Sequence, residues 1–231
     1  MLKGLLIPLL LTFAPCARAE GALRGRLVAP GTDMESTVVW IDGGEKLPDV
    51  KRETATRVMS QVNKTFSPAL VAVRAGDEVS FENLDPIFHN VFSLDKANPF
   101  DLGLYKGKKH FASDGKTELR GAATAQPFKT PGKYFIFCNL HANMTGAVYA
   151  FAHGYFGQAD KNGLFTLPLP PAGRRVLVID GPLLDKPLRR EVEIDAKSGL
   201  LELAVSPRSS PKRVRHTRKD GEPYSEKASG Y

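Results

Sequence analysis

The stretch Cys138-Asn139-Leu140-His141-Ala142-Asn143-Met144-Thr145-Gly146 reads CNLHANMTG and sets a thiol, an imidazole and a thioether three residues apart in turn. Thiolate and thioether are soft donors and imidazole is intermediate, a set that suits copper better than magnesium or calcium. The bland alternative is three ordinary core residues. The flanks favour a loop: KTPGKYFIFC (129–138) alternates after a Pro131-Gly132 turn, and TGAVYAFA (145–152) is a second β-type run. Cys138 therefore ends one strand and Met144 directly precedes the next. A metal loop of this kind is one ligand short, so the fourth must come from elsewhere in the chain.

Of the five histidines, His89 has the best surroundings for that role. It lies in FENLDPIFHNVFSL (81–94), on a strand that follows an Asp85-Pro86 turn. A strand carrying His89 can meet the strand ending at Cys138 in a β-sandwich. His110, in the basic stretch KGKKHFASDG, reads as a solvated side chain. His153, in FAHGYFG, reads as a packing or hinge contact, and His216 falls in the C-terminal tail. Phe88, Phe92, Phe135 and Phe137 alternate along strands and read as core. Two imidazoles and a thiolate with a weak axial thioether make up a blue-copper electron-transfer site.

The rest of the chain supports an all-β fold. ALRGRLV, STVVWID, ALVAVRAG, DEVSFEN and FHNVFSL read as strands separated by Gly, Pro, Asn and Asp turns. KRETATRVMSQVN lacks a convincing apolar face and reads as a loop with one helical turn. Residues 95–129 read as long, polar and irregular. After Ala152, a hairpin-like DKNG, a Pro-Pro-Ala-Gly turn, REVEID and GLLELAVS predict a small second β-sandwich. The expected organisation is a first domain at 20–152, a small sandwich at 153–205 and a tail at 206–231.

Residues 1–19 read as a secretory signal: Lys3, the apolar run LLIPLLLTFA, and Ala17-Arg18-Ala19 as the cleavage site before Glu20. Pro15 directly before Cys16 argues against lipidation of that cysteine. Export leaves Cys138 as the single thiol, in a compartment where cysteines usually pair. No apolar run is long enough for an internal transmembrane segment. The net charge of +7 is uneven, because residues 206–231 carry seven Lys/Arg against three acids. That basic tail reads as solvated and disordered, with contact to an anionic surface as the functional option. Export makes nucleic acid the least expected partner.

His89-Asn90 followed by Cys138-x2-His141-x2-Met144 resembles the cupredoxins, and the short loop looks most like that of amicyanin. QVNKTFSPALVAVRAGDEVSFENLDPIFHNVFSL, FDLGLYKG and PGKYFIFCNLHANMTGAVYAF are similar to exported bacterial proteins labelled methylamine-utilisation proteins, though no residue here is suited to bind methylamine. In that group a cupredoxin Greek-key sandwich precedes a small carboxypeptidase-regulatory or prealbumin-like sandwich, whose hairpin ADKNGLFTLPLPPAG resembles. The resemblance spans about residues 22–205. It implies one type 1 copper held by His89, Cys138, His141 and, axially, Met144. It further implies that Asn90 ties the two ligand segments together and that N–H groups around Cys138, in the neighbourhood of Asn139, bond its sulfur. Asn139-Leu140 and Ala142-Asn143 stand where amicyanin has prolines, which predicts a less rigid loop.

Competing chemistries lack parts. A dinuclear copper centre needs a second thiolate, covalent haem needs C-x-x-C-H, and a multicopper oxidase would show His-Cys-His where Phe137 and Asn139 stand. Zinc has little affinity for thioether. The expectation is a periplasmic, non-enzymatic electron carrier whose partner is a dehydrogenase, cytochrome or oxidase. The alternative is a copper-binding protein for delivery or sensing at the envelope.

Overall fold

The computed structural model describes residues 21–50, 56–107, 110–111, 118–119, 123–195, 199–211 and 214–224, with the backbone alone at 110, 111, 118, 119 and 123. Residues 1–19, expected to be a secretory signal, with Cys16, and the side chain of His110, lie outside the described residues.

The strands in chain order are β1 (Ala22–Val28), β2 (Val38–Ile41), β3 (Thr56–Val62), β4 (Thr65–Ser67), β5 (Leu70–Arg74) and β6 (Glu78–Asn83). Next come β7 (Phe88–Ser93), β8 (Phe100–Lys106), β9 (His110–Phe111), β10 (Glu118–Leu119), β11 (Ala123–Pro127) and β12 (Gly132–Phe137). The remainder are β13 (Thr145–Phe151), β14 (Phe156–Gln158), β15 (Leu164–Pro168), β16 (Gly173–Asp180), β17 (Leu188–Ile194) and β18 (Leu201–Ala204). Among the described residues one 3₁₀ turn, Gly44–Lys46, is the only helical element.

Two sheets, in the orders β11-β6-β3-β4 and β5-β13-β12-β7-β8, enclose a core of Met59, Phe66, Val79, Phe81, Val91, Phe128, Tyr134, Ile136 and Val148. Cys138 and Met144 belong to the same core. The sheets β15-β1-β18 and β14-β2-β16-β17 enclose a second core that includes Leu23, Leu27, Val39, Ile41, Phe165, Leu177 and Ile179. Between the two lies a third apolar layer of Val38, Leu70, Ala72, Ala147, Tyr149 and Phe156. Period two explains the stack. In β13, Val148 and Ala150 face the first core, while Ala147 and Tyr149 face the third layer. Strands buried on both faces read as nearly continuous apolar runs, and LVAV and GAVYA do.

Three expectations change. Ala22–Val28 and Val38–Ile41, expected in the first domain, pair with strands beyond residue 153. β1 sits between β15 and β18, and β2 between β14 and β16. The stretch 56–62, expected as loop with a helical turn, is a strand between β6 and β4. Its pattern is hard to read because Gln61, a polar residue, is buried and donates to the Tyr105 hydroxyl. Residues 95–129, expected to be irregular, contain β8 and β11, which extend the two sheets of the first core.

His153 is a packing residue. It is 8% exposed, its Nδ1 accepts the Tyr155 N–H at 3.1 Å, and its ring fills the place where a side chain on Gly44 would stand. Burial, assisted by Arg74 and opposed by Glu45, pushes its imidazole below the usual histidine range. The unfolded chain then binds a proton near pH 6.5 that the folded chain refuses, so this residue costs stability as pH falls below that value. Urea unfolding of the wild type is expected to weaken from pH 7.5 to pH 5.5, and His153→Gln should flatten that slope. Leu27→Ala removes a buried side chain from β1 and should lower the unfolding free energy by about 2–5 kcal/mol. If the near-N-terminal strands were peripheral, denaturant titration would find less than about 0.5 kcal/mol.

Candidate metal centre

β7 and β12 are neighbours in one sheet, with Phe92 opposite Phe137. That pairing brings His89 and Cys138, 49 positions apart, to the same end of the sandwich. The loop 138–144 closes on itself: the Cys138 N–H donates to Met144 O at 3.3 Å, and the Met144 N–H to His141 O at 3.0 Å. His89, Cys138 and Met144 are fully buried, and His141 is half-buried.

His89 Nδ1, His141 Nδ1 and Cys138 Sγ face one another. The separations are 3.1 Å between the nitrogens, 3.8 Å from sulfur to His89 and 3.5 Å from sulfur to His141. A circle through the three atoms has a radius of about 2.0 Å, close to the bond lengths of first-row metal ions to imidazole and thiolate. The three atoms form a group able to hold a metal ion. Met144 is buried in the same core as Cys138, and its backbone oxygen accepts the Cys138 N–H.

Asp85 determines which His89 nitrogen faces inward. Its Oδ2 accepts His89 Nε2–H at 2.7 Å, which leaves the Nδ1 lone pair directed at the centre. The carboxylate also accepts the N–H groups of Asn63 at 2.7 Å and Lys64 at 2.9 Å. Those two residues have φ of 51° and 57° and form the two-residue turn from β3 to β4. Burial pushes the Asp85 carboxyl up, but the N–H of Lys64, the His89 ring and the N–H of Asn63 together hold it below its ordinary value. Asn83 Oδ1 accepts the Asp85 N–H, and a side chain on Gly107 would come within 2.3 Å of Asp85 O. The Asp85 turn is thus closed in on both sides.

The sulfur sits among the N–H groups of Asn90, Leu140 and His141, which pull the Cys138 thiol down, while the larger effect of burial pushes it up. Burial, then the neighbouring His89 and Lys64, pushes the His141 imidazole down, against Asp85. A neutral imidazole is the form that ligates. Asn90 Oδ1 accepts the Asn139 N–H at 2.5 Å, joining β7 to the loop. Its Nδ2 donates to Asp101 Oδ1 at 3.1 Å. Asp101 reaches Asn90 because β8 carries an extra residue against β7 there, with Gly103 at φ 73°.

Of the residues singled out in the sequence, the structure gathers His89, Cys138 and His141, sets Met144 beside them, and links Asn90 to Asn139. Asp85 was visible only as a turn residue. Its signal was its place four residues before His89, where a carboxylate can reach the ring. Phe88 is 53% exposed, contrary to its reading as core. Phe92 and Phe137 are buried, but on the outer face of the sheet. The cover over that face is the segment expected to be disordered. His216 stacks on Phe137 with ring centroids 4.0 Å apart, and Tyr224 Oη donates to Cys138 O at 2.6 Å.

Residues 53–150 match the family model of copper-binding proteins of the plastocyanin/azurin family. Among solved structures, the chain is similar to a purple cupredoxin from Nitrosopumilus maritimus at 20% identity, covering 42% of this chain and 99% of that one, with a TM-score of 0.32. It is also similar to a mutant fern plastocyanin at 24% identity, covering 42% and 100%, with a TM-score of 0.31. A mutant amicyanin is similar at 20% identity, covering 42% and 82%, with a TM-score of 0.30. A comparison with curated protein sequences finds no match. The donor set fits a single type 1 copper: thiolate, two imidazoles and a buried thioether in a cupredoxin-like sandwich.

Asp85→Asn keeps the shape and loses the carboxylate behind His89. Copper affinity is expected to fall about 10–100-fold, as for other partners of metal-bound histidines, measured by competition with a chelator of known strength. An unchanged affinity would mean that the packing around His89 suffices to orient it.

Proposed function

We propose that this chain is an exported one-electron carrier, with His89, Cys138 and His141 as equatorial copper ligands and Met144 as the axial one. The observation that carries this reading is the close triangle of two imidazole nitrogens and a sulfur. Bound copper would supply a one-electron couple between Cu(I) and Cu(II). The chain's own part is to hold the donors in one arrangement for both states, so that little rearrangement accompanies electron transfer. Asp85 fixes the His89 ring, Asn90 fixes the loop to β7, and N–H groups of Asn90, Leu140 and His141 stabilise negative charge on sulfur.

Exposed apolar side chains near the site favour transient docking of a protein partner. Phe88 and Leu104 are 53% and 59% exposed on the β7–β8 edge, and Leu140 is 36% exposed beside His141. A periplasmic dehydrogenase, cytochrome or oxidase is the partner class we assign. No helix among the described residues is long and apolar enough to cross a membrane. We further propose that residues 56–151 form the cupredoxin-like unit, inserted in a second unit made of 21–47 and 153–205, with a prealbumin-like fold. Delivery or sensing of copper is the less favoured reading, because a fully buried Cys138 leaves no open path for an incoming ligand.

Cu(II) titration of residues 20–231, followed by visible absorption and electron paramagnetic resonance, tests the reading. The expected outcome is an intense blue thiolate-to-copper band at one copper per chain with a narrow hyperfine splitting, both absent in Cys138→Ser. A colourless complex, or a band that survives the substitution, would contradict it.

A further inference from the structure

The ligand loop's own residues do little to stiffen it. Asn139, Leu140, Ala142 and Asn143 carry no stiffening ring, and the loop's own hydrogen bonds are two between backbone groups and those of the Leu140 and His141 N–H groups to the Cys138 sulfur. The missing restraint comes from the far end of the chain. Residues 214–224 lie across the loop and bond it at three places. His216 Nε2–H donates to Ala142 O at 3.1 Å, the Lys219 N–H donates to Asn139 Oδ1 at 2.9 Å, and Tyr224 Oη–H donates to Cys138 O at 2.6 Å.

The seat under this segment is built for it. Phe137 and Phe92 lie on the sheet face opposite the first core, where a solvated sheet would carry polar residues. His216 covers them, stacked on Phe137 at 4.0 Å with an interplanar angle of 22°, and edge-on to Phe92 at 6.5 Å. Tyr224 packs edge-on against His216 at 5.2 Å. Upstream, the Arg208 N–H donates to Leu183 O at 2.8 Å, anchoring the chain to the second sandwich before it crosses.

A closed ring of contacts joins the segment to the residues that hold the loop. Lys219 Nζ pairs with Asp101 Oδ2, and Asp101 Oδ1 accepts from Asn90. Asn90 accepts the Asn139 N–H, and Asn139 accepts the Lys219 N–H. Four segments (β8, β7, the ligand loop and the C-terminal strap) thus close on one another at Asn139, the residue after Cys138.

We propose that residues 214–224 are a strap that positions the ligand loop, with His216, Lys219 and Tyr224 as its positioning residues. The strap supplies the rigidity that the loop's own sequence lacks. It acts on Cys138 through the Cys138 carbonyl and through Asn139, without touching the metal. This rests on the copper reading for its purpose, but not for its existence, since the contacts are those of the chain alone.

The experiment measures the rate at which 5,5′-dithiobis(2-nitrobenzoic acid) modifies Cys138, the single thiol of residues 20–231, in metal-free protein. Slow modification is expected for the wild type. Truncation after Pro211 should raise the rate roughly tenfold or more, as the loop opens without its restraints. Tyr224→Phe and Lys219→Glu should each raise it severalfold, and Lys219→Arg should restore the slow rate. Circular dichroism checks that each variant is folded; if truncation unfolds the chain, the point variants decide. Rates equal to wild type in folded variants would overturn the strap. In copper-loaded protein the same point variants should shift the thiolate-to-copper band and the hyperfine splitting, and unshifted spectra would deny the strap an effect on the site. Accelerated thiol modification in a protein that forms no blue complex would uphold the strap and contradict the copper reading, so the two claims fail separately.

Discussion

Three donor atoms, two of them imidazole nitrogens 3.1 Å apart and the third a thiol sulfur, face one another at one end of the sandwich, where a cation between them would draw on all three at once. Much of the first sandwich is organised around holding that arrangement. β7 and β12 bring the two halves together, and the turn at Asn63-Lys64 charges and orients Asp85 behind His89. The bulge in β8 lifts Asp101 to Asn90, which holds Asn139. Each of these features is weak alone. Together they leave the donors one arrangement, which is what a site with low reorganisation on electron transfer requires.

The second pair of sheets bears on this through packing. Ala147 and Tyr149 of β13 pack outward on Val38 and Phe156, so the strand that follows Met144 is gripped on both faces. Burying an aromatic or large aliphatic side chain contributes about 1.5–3 kcal/mol. The layer between the sandwiches therefore steadies the strand on which the ligand loop ends. The same unit carries Leu183, against which Arg208 starts the chain on its way back to the loop.

What could be read in the sequence follows the reach of local rules. Strands with clean period two or continuous apolar runs, such as Leu70–Arg74 and Gly132–Phe137, were legible, as was the ligand loop, whose donors repeat at fixed spacing. β3 was not, because buried Gln61 breaks its alternation in favour of a bond to Tyr105. β1 looked like an ordinary strand, but no local signal states that its partners begin more than a hundred residues later. The strap was the hardest to see. Its composition is that of a solvated tail, and its order comes from single contacts of His216, Lys219 and Tyr224 with a distant loop. Phe137 held the clue: an aromatic on the outer strand face asks what covers it.

X-ray absorption at the copper edge, on residues 20–231 loaded with one equivalent of copper, tests the central claim most directly. The account predicts one short sulfur neighbour and two nitrogen neighbours in both oxidation states, with little change between them. A first shell of nitrogen and oxygen alone, or one that rearranges on reduction, would contradict it.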